Sequence, residues 1–397
     1  MKRISNHIIL LSILLLMSMC LTEIDLEQID TEDLLVVDAR LTSEPEKQMV
    51  ILSRTKPLNS MDAAEPVTGA TVWIESENSN RLNFQESSPG HYESSNPFAA
   101  QPNTNYSLHI ITSEGDEYQS DPTAMVPTPQ FDSLYAEFEP APTPTNPFAG
   151  FFNFYVDSRS NPDQVKYFRW EWNSTYQLEV PMPSRWLWTG GNNFVIRELG
   201  SPNDSLQVQI CWSSDSAKDI NIKALLDGEN EVIRQPIHRF HSDSGFLKLR
   251  YSILVKQFAL TEESYRFWNM INESNNQGFL FDIQVGTITG NLHNVANATE
   301  TVLGYFDVVQ ERTVRQFYAP RDFQKDGYRV LDPFFVNCFN EEPILLPADQ
   351  IGDFMERNQF AYSLCYFLSP ATAVFCKIRC ADCTYHDGSN KRPDFWE

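Results

Sequence analysis

The sequence predicts a mostly β fold: two tandem β-sandwich domains of Ig-like or transthyretin-like kind, one or two short helices, and a cysteine-rich C-terminal region. Three observations predict it. Short β-branched or alternating runs recur along most of the chain, separated by Gly, Pro, Asn and Ser turns. A proline-dense stretch between residues 122 and 147 splits those runs into two sets. Five of the seven cysteines fall after residue 337.

The first set of runs predicts an N-terminal sandwich over 34–127. Its strands are "LLVVDARL" (34–41), "KQMVILSRT" (47–55), "ATVWIES" (70–76), "RLNFQES" (81–87), "YSLHIIT" (106–112) and "DEYQSDP" (116–122). In the third, Val72 and Ile74 share one face and Thr71, Trp73 and Glu75 the other, which makes Val72 and Ile74 the core side. Proline cannot donate to a sheet ladder, so the stretch that follows reads as extended connections around one edge strand, "FDSLYAEFE", with the domain boundary near Pro127.

The second set predicts a β-rich domain over 128–320. Its strands are "GFFNFYVDS" (150–158), "VKYFRWEWNSTYQLEV" (165–180), "SLQVQICWS" (205–213), "FLKLRYSILVKQFAL" (246–260), "FDIQVGTITGNLHN" (281–294) and "TVLGYFDVVQERTVRQFY" (301–318). A helix over 261–274 interrupts them. Thr261 is placed to cap it, Glu262 and Glu263 favour its N-terminal dipole, and Tyr265, Trp268 and Ile271 form a stripe predicted to pack on the sheet. Beyond Pro320 the strand pattern weakens into the cysteine-rich region, 321–397, with a second helical candidate at "LPADQIGDFMERNQF" (346–360).

The compartment follows from the first residues. Lys2 and Arg3 precede an apolar stretch from Ile8 to Met19 that is too short to span a bilayer but has the length of a signal-peptide core. Residues 1–19 are therefore expected to be a lipoprotein signal peptide, with Cys20 the acylated first mature residue and 20–33 an acidic tether. Met19 stands where such signals usually carry Gly, Ala or Ser, and an ordinary secreted protein is the alternative. Export decides how "CKIRCADCTYH" (376–386) is read. Its three cysteines and histidine resemble a zinc knuckle, but in an oxidising space they are disulfide candidates. With Cys20 acylated, Cys211, Cys338, Cys365, Cys376, Cys380 and Cys383 remain, an even set whose pairing the sequence leaves open.

A net charge of −23 argues against a nucleic-acid partner and against adsorption to anionic headgroups, so attachment to a membrane must come from the lipid. No G-x-S-x-G, H-E-x-x-H, Walker or dinucleotide glycine motif is present, so no catalytic residue, metal or cofactor is expected and a hydrolase has no motif to carry it. His238 and His241, in "HRFH", would point to opposite faces of a strand and read as a surface pair without a role. Trp170 and Trp172 lie in a strong strand and are expected in the core. Trp186 and Trp188 are flanked by "VPMPS" and "TGGNN", which predicts a projecting hairpin whose rings either form a binding loop for a protein or sugar, or fold back over the sandwich.

"PVTGATVWI", "GHYESS", "LRYSILVKQFALTEESYRFW", "GNLHN", "VLGYFDV" and the closing "RPDFW" together resemble the Bacteroidota outer-membrane lipoproteins grouped as domain of unknown function 4249. The N-terminal sandwich is similar also to carboxypeptidase-regulatory-like modules. Members of the family are commonly encoded beside TonB-dependent outer-membrane receptors. The resemblance thus implies a non-enzymatic accessory protein, lipid-anchored in the outer membrane and exposed at the cell surface or its periplasmic face. Such a protein would bind or gate a small-molecule or peptide substrate beside a TonB-dependent β-barrel receptor. A structural or adhesive surface protein built of tandem sandwiches is the alternative.

Overall fold

The computed structural model describes residues 33–56, 64–160, 165–196, 208–226, 228–277, 290–330, 338 and 342–396. The expected signal peptide, Cys20, nearly all of the tether and most of the run 281–294 lie outside the described residues.

The N-terminal part contributes β1 (Leu35–Thr42), β2 (Met49–Arg54), β3 (Glu65–Pro66), β4 (Thr71–Ser76), β5 (Arg81–Ser88), β6 (His91–Ser94), β7 (Asn105–Ile111), β8 (Glu117–Ser120) and β9 (Thr123–Ala124). The middle contributes β10 (Phe131–Pro140), β11 (Gly150–Arg159), β12 (Tyr167–Glu179), β13 (Trp186–Gly190), β14 (Asn193–Ile196), β15 (Ile210–Ser216), β16 (Asn221–Ala224), β17 (Glu231–His241) and β18 (Tyr251–Leu260). Helix α1 (Glu262–Gln277) follows, then β19 (Leu292–Asn294), β20 (Leu303–Val309) and β21 (Arg312–Tyr318). The C-terminal part holds β22 (Ile344–Pro347), α2 (Ile351–Asn358), β23 (Tyr362–Ser369), β24 (Thr372–Lys377) and α3 (Ile378–Ala381).

Alternation fixes the faces of the first sheet. Leu35, Val37, Ala39 and Leu41 of β1 and Val72 and Ile74 of β4 are all buried in one core, the latter pair as the pattern predicts. Trp73, on the outer face, is covered instead by the His109 ring, stacked at 4.8 Å, and the Arg81 guanidinium at 4.0 Å. The sheet runs β19-β8-β7-β4-β5-β6-β2-β1-β20, with β3 beside β2 and β9 beside β7.

Its two end strands come from late in the chain. β20 pairs in parallel with β1, Val36 opposite Leu303 through Thr42 opposite Val309, and β19 pairs with β8. The expected span of the second domain is corrected here: residues 292–309 build the first sheet, because Phe306 and Val308 complete the core that β1 leaves open. The ends of the sheet then meet. Asn291 accepts from Phe306 N–H at 2.8 Å and donates to Phe306 C=O at 3.0 Å, so its amide acts as one rung of a ladder. A Cβ on Gly290 would lie on the Gly304 carbonyl, and Gly304, at φ +129°, itself presses on the Val37 carbonyl, so both positions need glycine. The "GNLHN" and "VLGYF" motifs are thereby read as closure elements of this sheet.

The second sandwich packs β10-β11-β17 over β15-β12-β18-β21, with β16 beside β12. β10 is an edge strand, as its prolines predict. Phe152, Phe154, Phe168, Trp170, Tyr251, Ile253 and Val255 form its centre. Buried Gln257 is satisfied: it accepts from Trp170 Nε1 at 2.9 Å and donates to Pro129 C=O at 2.9 Å. The run 301–318 proves to be two strands in two sheets, β20 in the first and β21 in the second. Helix α1 begins as expected, with Thr261 Oγ1 accepting from Ser264 N–H at 3.1 Å, and Tyr265 stacks on Tyr167 at 4.8 Å.

Candidate functional site

Among the described residues no group of three or more His, Cys, Asp or Glu is placed to hold a metal ion. The six candidate cysteines instead form three disulfides, Cys211–Cys383, Cys338–Cys380 and Cys365–Cys376. The zinc-knuckle spacing is thus divided among three bonds. His386 Nε2 lies 2.6 Å from Arg379 C=O and takes no part in them.

The disulfides assemble a C-terminal module that the sequence left without a core. Its sheet runs β22-β24-β23, and one face packs Leu364, Ala373 and Phe375 against Ile351 and Met355 of α2. The β13–β14 hairpin closes this core. Trp186 and Trp188 are half-buried in it, Trp186 set edge-on to Phe367 at 5.5 Å, while Trp188 Nε1 donates to Gly191 C=O at 2.7 Å. Ser184 Oγ donates to Leu364 C=O at 2.5 Å, and Gly352 N–H at the start of α2 donates to Asn192 Oδ1 at 2.8 Å. The rings turn inward onto the core of the C-terminal module, where the sequence offered either an exposed binding loop or a fold back over the sandwich. The exposed apolar side chains are others: Leu345, Tyr366 and Leu368 on the sheet, and Ile196 on the hairpin. The signal that could have found Tyr366 and Leu368 is a charge gap, for residues 362–376 contain no Asp, Glu, Lys or Arg in a chain that is 21% charged.

Beyond the module, the chain's last turn docks on the second sandwich. Trp396 is buried against Trp212 and Phe317, and the Arg315 guanidinium lies 3.6 Å from the Phe395 ring centre. The "PDFW" motif therefore fastens the tail.

A charged cluster joins the two sandwiches. Arg40 of β1 makes a two-pronged contact with Glu171 of β12 at 2.6 and 3.0 Å, and Arg169 donates to the same carboxylate at 2.8 Å. Burial opposes charge on Glu171, but the two guanidiniums outweigh it and hold the carboxyl below its usual range. Arg169, buried and beside Arg40, is lowered to about 10. Asp307 of β20 accepts from Ser264 Oγ at 2.6 Å and from Trp268 Nε1 at 2.9 Å, which fixes α1 over the junction. Lys256 reaches Glu311 at 3.0 Å, yet burial pushes that carboxyl upward. These groups are mutually satisfied, so the cluster holds the sandwiches in register.

His238 and His241 share strand β17 at the predicted i, i+3 spacing. The His238 ring lies 3.7 Å from Trp172 and 5.5 Å from Phe240, and burial lowers its pKa to about 4. It is half-buried among aromatic rings rather than free on the surface, next to a bulge between Pro236 and His238.

Fold and surface together define a class: an acidic protein of interlocked β-sandwiches carrying a disulfide-bonded module with an apolar face. The chain belongs to the family described as domain of unknown function (DUF4249), whose model matches residues 22–315. No curated protein matches it. Among solved structures it is similar to a DUF4785 family protein from Legionella pneumophila subsp. pneumophila str. Philadelphia 1, with 9% identity, a TM-score of 0.16, and coverage of 57% of this chain and 52% of the other. The chain thus spans about half the length of that structure. Among the described residues no helix is long and apolar enough to cross a membrane.

Proposed function

We propose that this protein is a non-enzymatic accessory lipoprotein of the outer membrane, held by an acyl group on Cys20, which binds or gates substrate beside a TonB-dependent β-barrel transporter. The observation that supports the reading most directly is the contrast between a chain of net charge −23 and a module that leaves Leu345, Tyr366 and Leu368 in water. Exposed apolar patches of this kind mark contact surfaces. A lipid anchor adds to weak contacts by raising the local concentration of the partner.

The test is recovery of the acylated protein from detergent-solubilised outer membranes. A TonB-dependent receptor should come with it in a stable ratio, and recovery as a free monomer would count against the reading. Recovery bound to a component of neighbouring cells or matrix would favour an adhesive role instead.

A further inference from the structure

Buried polar groups in folded proteins are almost always hydrogen-bonded, because a hydroxyl taken out of water without a new partner is costly. The second sandwich departs from this twice, on neighbouring strands. Among the described residues, Tyr251 Oη and Tyr318 Oη are enclosed and have no hydrogen-bond partner. Tyr251 is 0% exposed and Tyr318 9%. The two residues stand directly opposite each other on β18 and β21, and both rings pack on Phe154, each at 5.4 Å between centroids. Burial pushes both phenols above their usual range, and the Tyr318 phenol adds to the shift on Tyr251. The two hydroxyls therefore act on each other across the strand pair.

The polar side chains nearby are committed elsewhere. Ser174 Oγ gives its hydrogen bond to Asp215 C=O at 3.5 Å. Gln257, on the same inner face of β18 as Tyr251, is bonded to Trp170, Pro129 and Ser158. The remaining walls are aromatic: Phe240 lies 5.1 Å from the Tyr251 ring and Phe323 5.9 Å from that of Tyr318. Such walls reject a charged ligand and suit a small neutral molecule that both donates and accepts. Water is that molecule, and folded proteins bury about one per 27 residues at sites of this kind. We infer that Tyr251 and Tyr318 hold an ordered water between their hydroxyls inside the second sandwich. It ties edge strand β21 to β18 through side chains, as the ladder ties them through the backbone. Phe317, the residue before Tyr318, packs on Trp396, so the water lies beneath the strand end on which the tail docks.

A double-mutant cycle on the full chain, read by urea unfolding, decides by its sign. If the hydroxyls are simply unmet, Tyr251→Phe and Tyr318→Phe each remove a buried polar group without a partner, and each leaves stability unchanged or raises it. With a shared water, each single substitution strips that water of one partner and leaves the other hydroxyl unmet. Each should then lower the folding equilibrium constant about fivefold, while the double variant, which has nothing left to satisfy, recovers most of that loss. A crystal structure should show a water peak about 3 Å from both hydroxyls, lost in the double variant. Single variants as stable as the parent or more so, or a crystal structure in which each hydroxyl bonds a protein atom instead, overturn the inference.

Discussion

The His238 ring is packed between Phe154, Trp172 and Phe240, with Asp215 the one carboxylate that acts on it. The surrounding hydrocarbon opposes the charged form, and its pKa falls from 6.5 to about 4. A depressed folded-state value means that the unfolded chain takes up the proton first as the pH drops. The stability this residue confers is therefore complete above pH 6.5 and is lost as pH falls toward 4. The loss should be on the order of 3 kcal/mol. His238→Phe should abolish that component, measured as the difference in urea unfolding free energy between pH 7 and pH 4.5 in the two proteins; an equal acid loss in both would refute the assignment. The strand alternation of "HRFH" was readable from sequence, since a spacing of three separates two rings on any strand. The burial of His238 was not, because it depends on Trp172, 66 residues earlier and in the facing sheet.

β20 shows how an element can be legible and its place hidden. Its alternating apolar pattern identifies a strand, and the neighbouring "GNLHN" marks a turn-rich companion. Neither tells that the partner is β1, more than 260 residues away and parallel to it. Parallel pairing carries no hairpin signature, and local pattern has no means to encode a partner at that distance. The glycines hold the only local trace. Gly304→Ala would set a methyl group against the Val37 carbonyl in a left-handed backbone, so it should cost about 2 kcal/mol or more. Differential scanning calorimetry would register this as a lower unfolding temperature, with the second sandwich less affected than the first. Asn291→Ala, which removes the amide rung but no backbone strain, should cost less, roughly 1 kcal/mol. The reverse order of the two effects would contradict the closure assigned to this glycine pair. The second helical candidate was readable for a different reason. Its apolar positions put Ile351 and Met355 on one face, which is the face α2 buries.

At the scale of the whole molecule, two sandwiches with large cores carry one small module, and the disulfides are distributed to match. The first sandwich contains none of the six bonded cysteines, and the second contains Cys211 alone, on β15. A segment the size of the C-terminal region buries too little apolar surface to stand by its own packing, so cross-links supply what the core lacks. An even number of thiols and their clustering are legible in the sequence, but pairing depends on which strands meet, and Cys211–Cys383 spans 172 residues. Burial now orders the bonds. Cys211 and Cys383 are fully enclosed, whereas Cys338 is partly accessible. Graded reduction in native buffer, with alkylation and peptide mapping, should therefore open Cys338–Cys380 first and Cys211–Cys383 last. Closing so long a loop contributes about 5 kcal/mol in the chain-entropy account, so Cys211→Ser paired with Cys383→Ser should loosen the tail at residues 383–396. Proteolysis would then cut there while both sandwiches survive as a resistant fragment, because their cores are complete without the bond. Early cleavage inside β12 or β18 instead would mean that the second sandwich depends on the module to fold, and the hierarchy of cores derived from burial would have to be reversed.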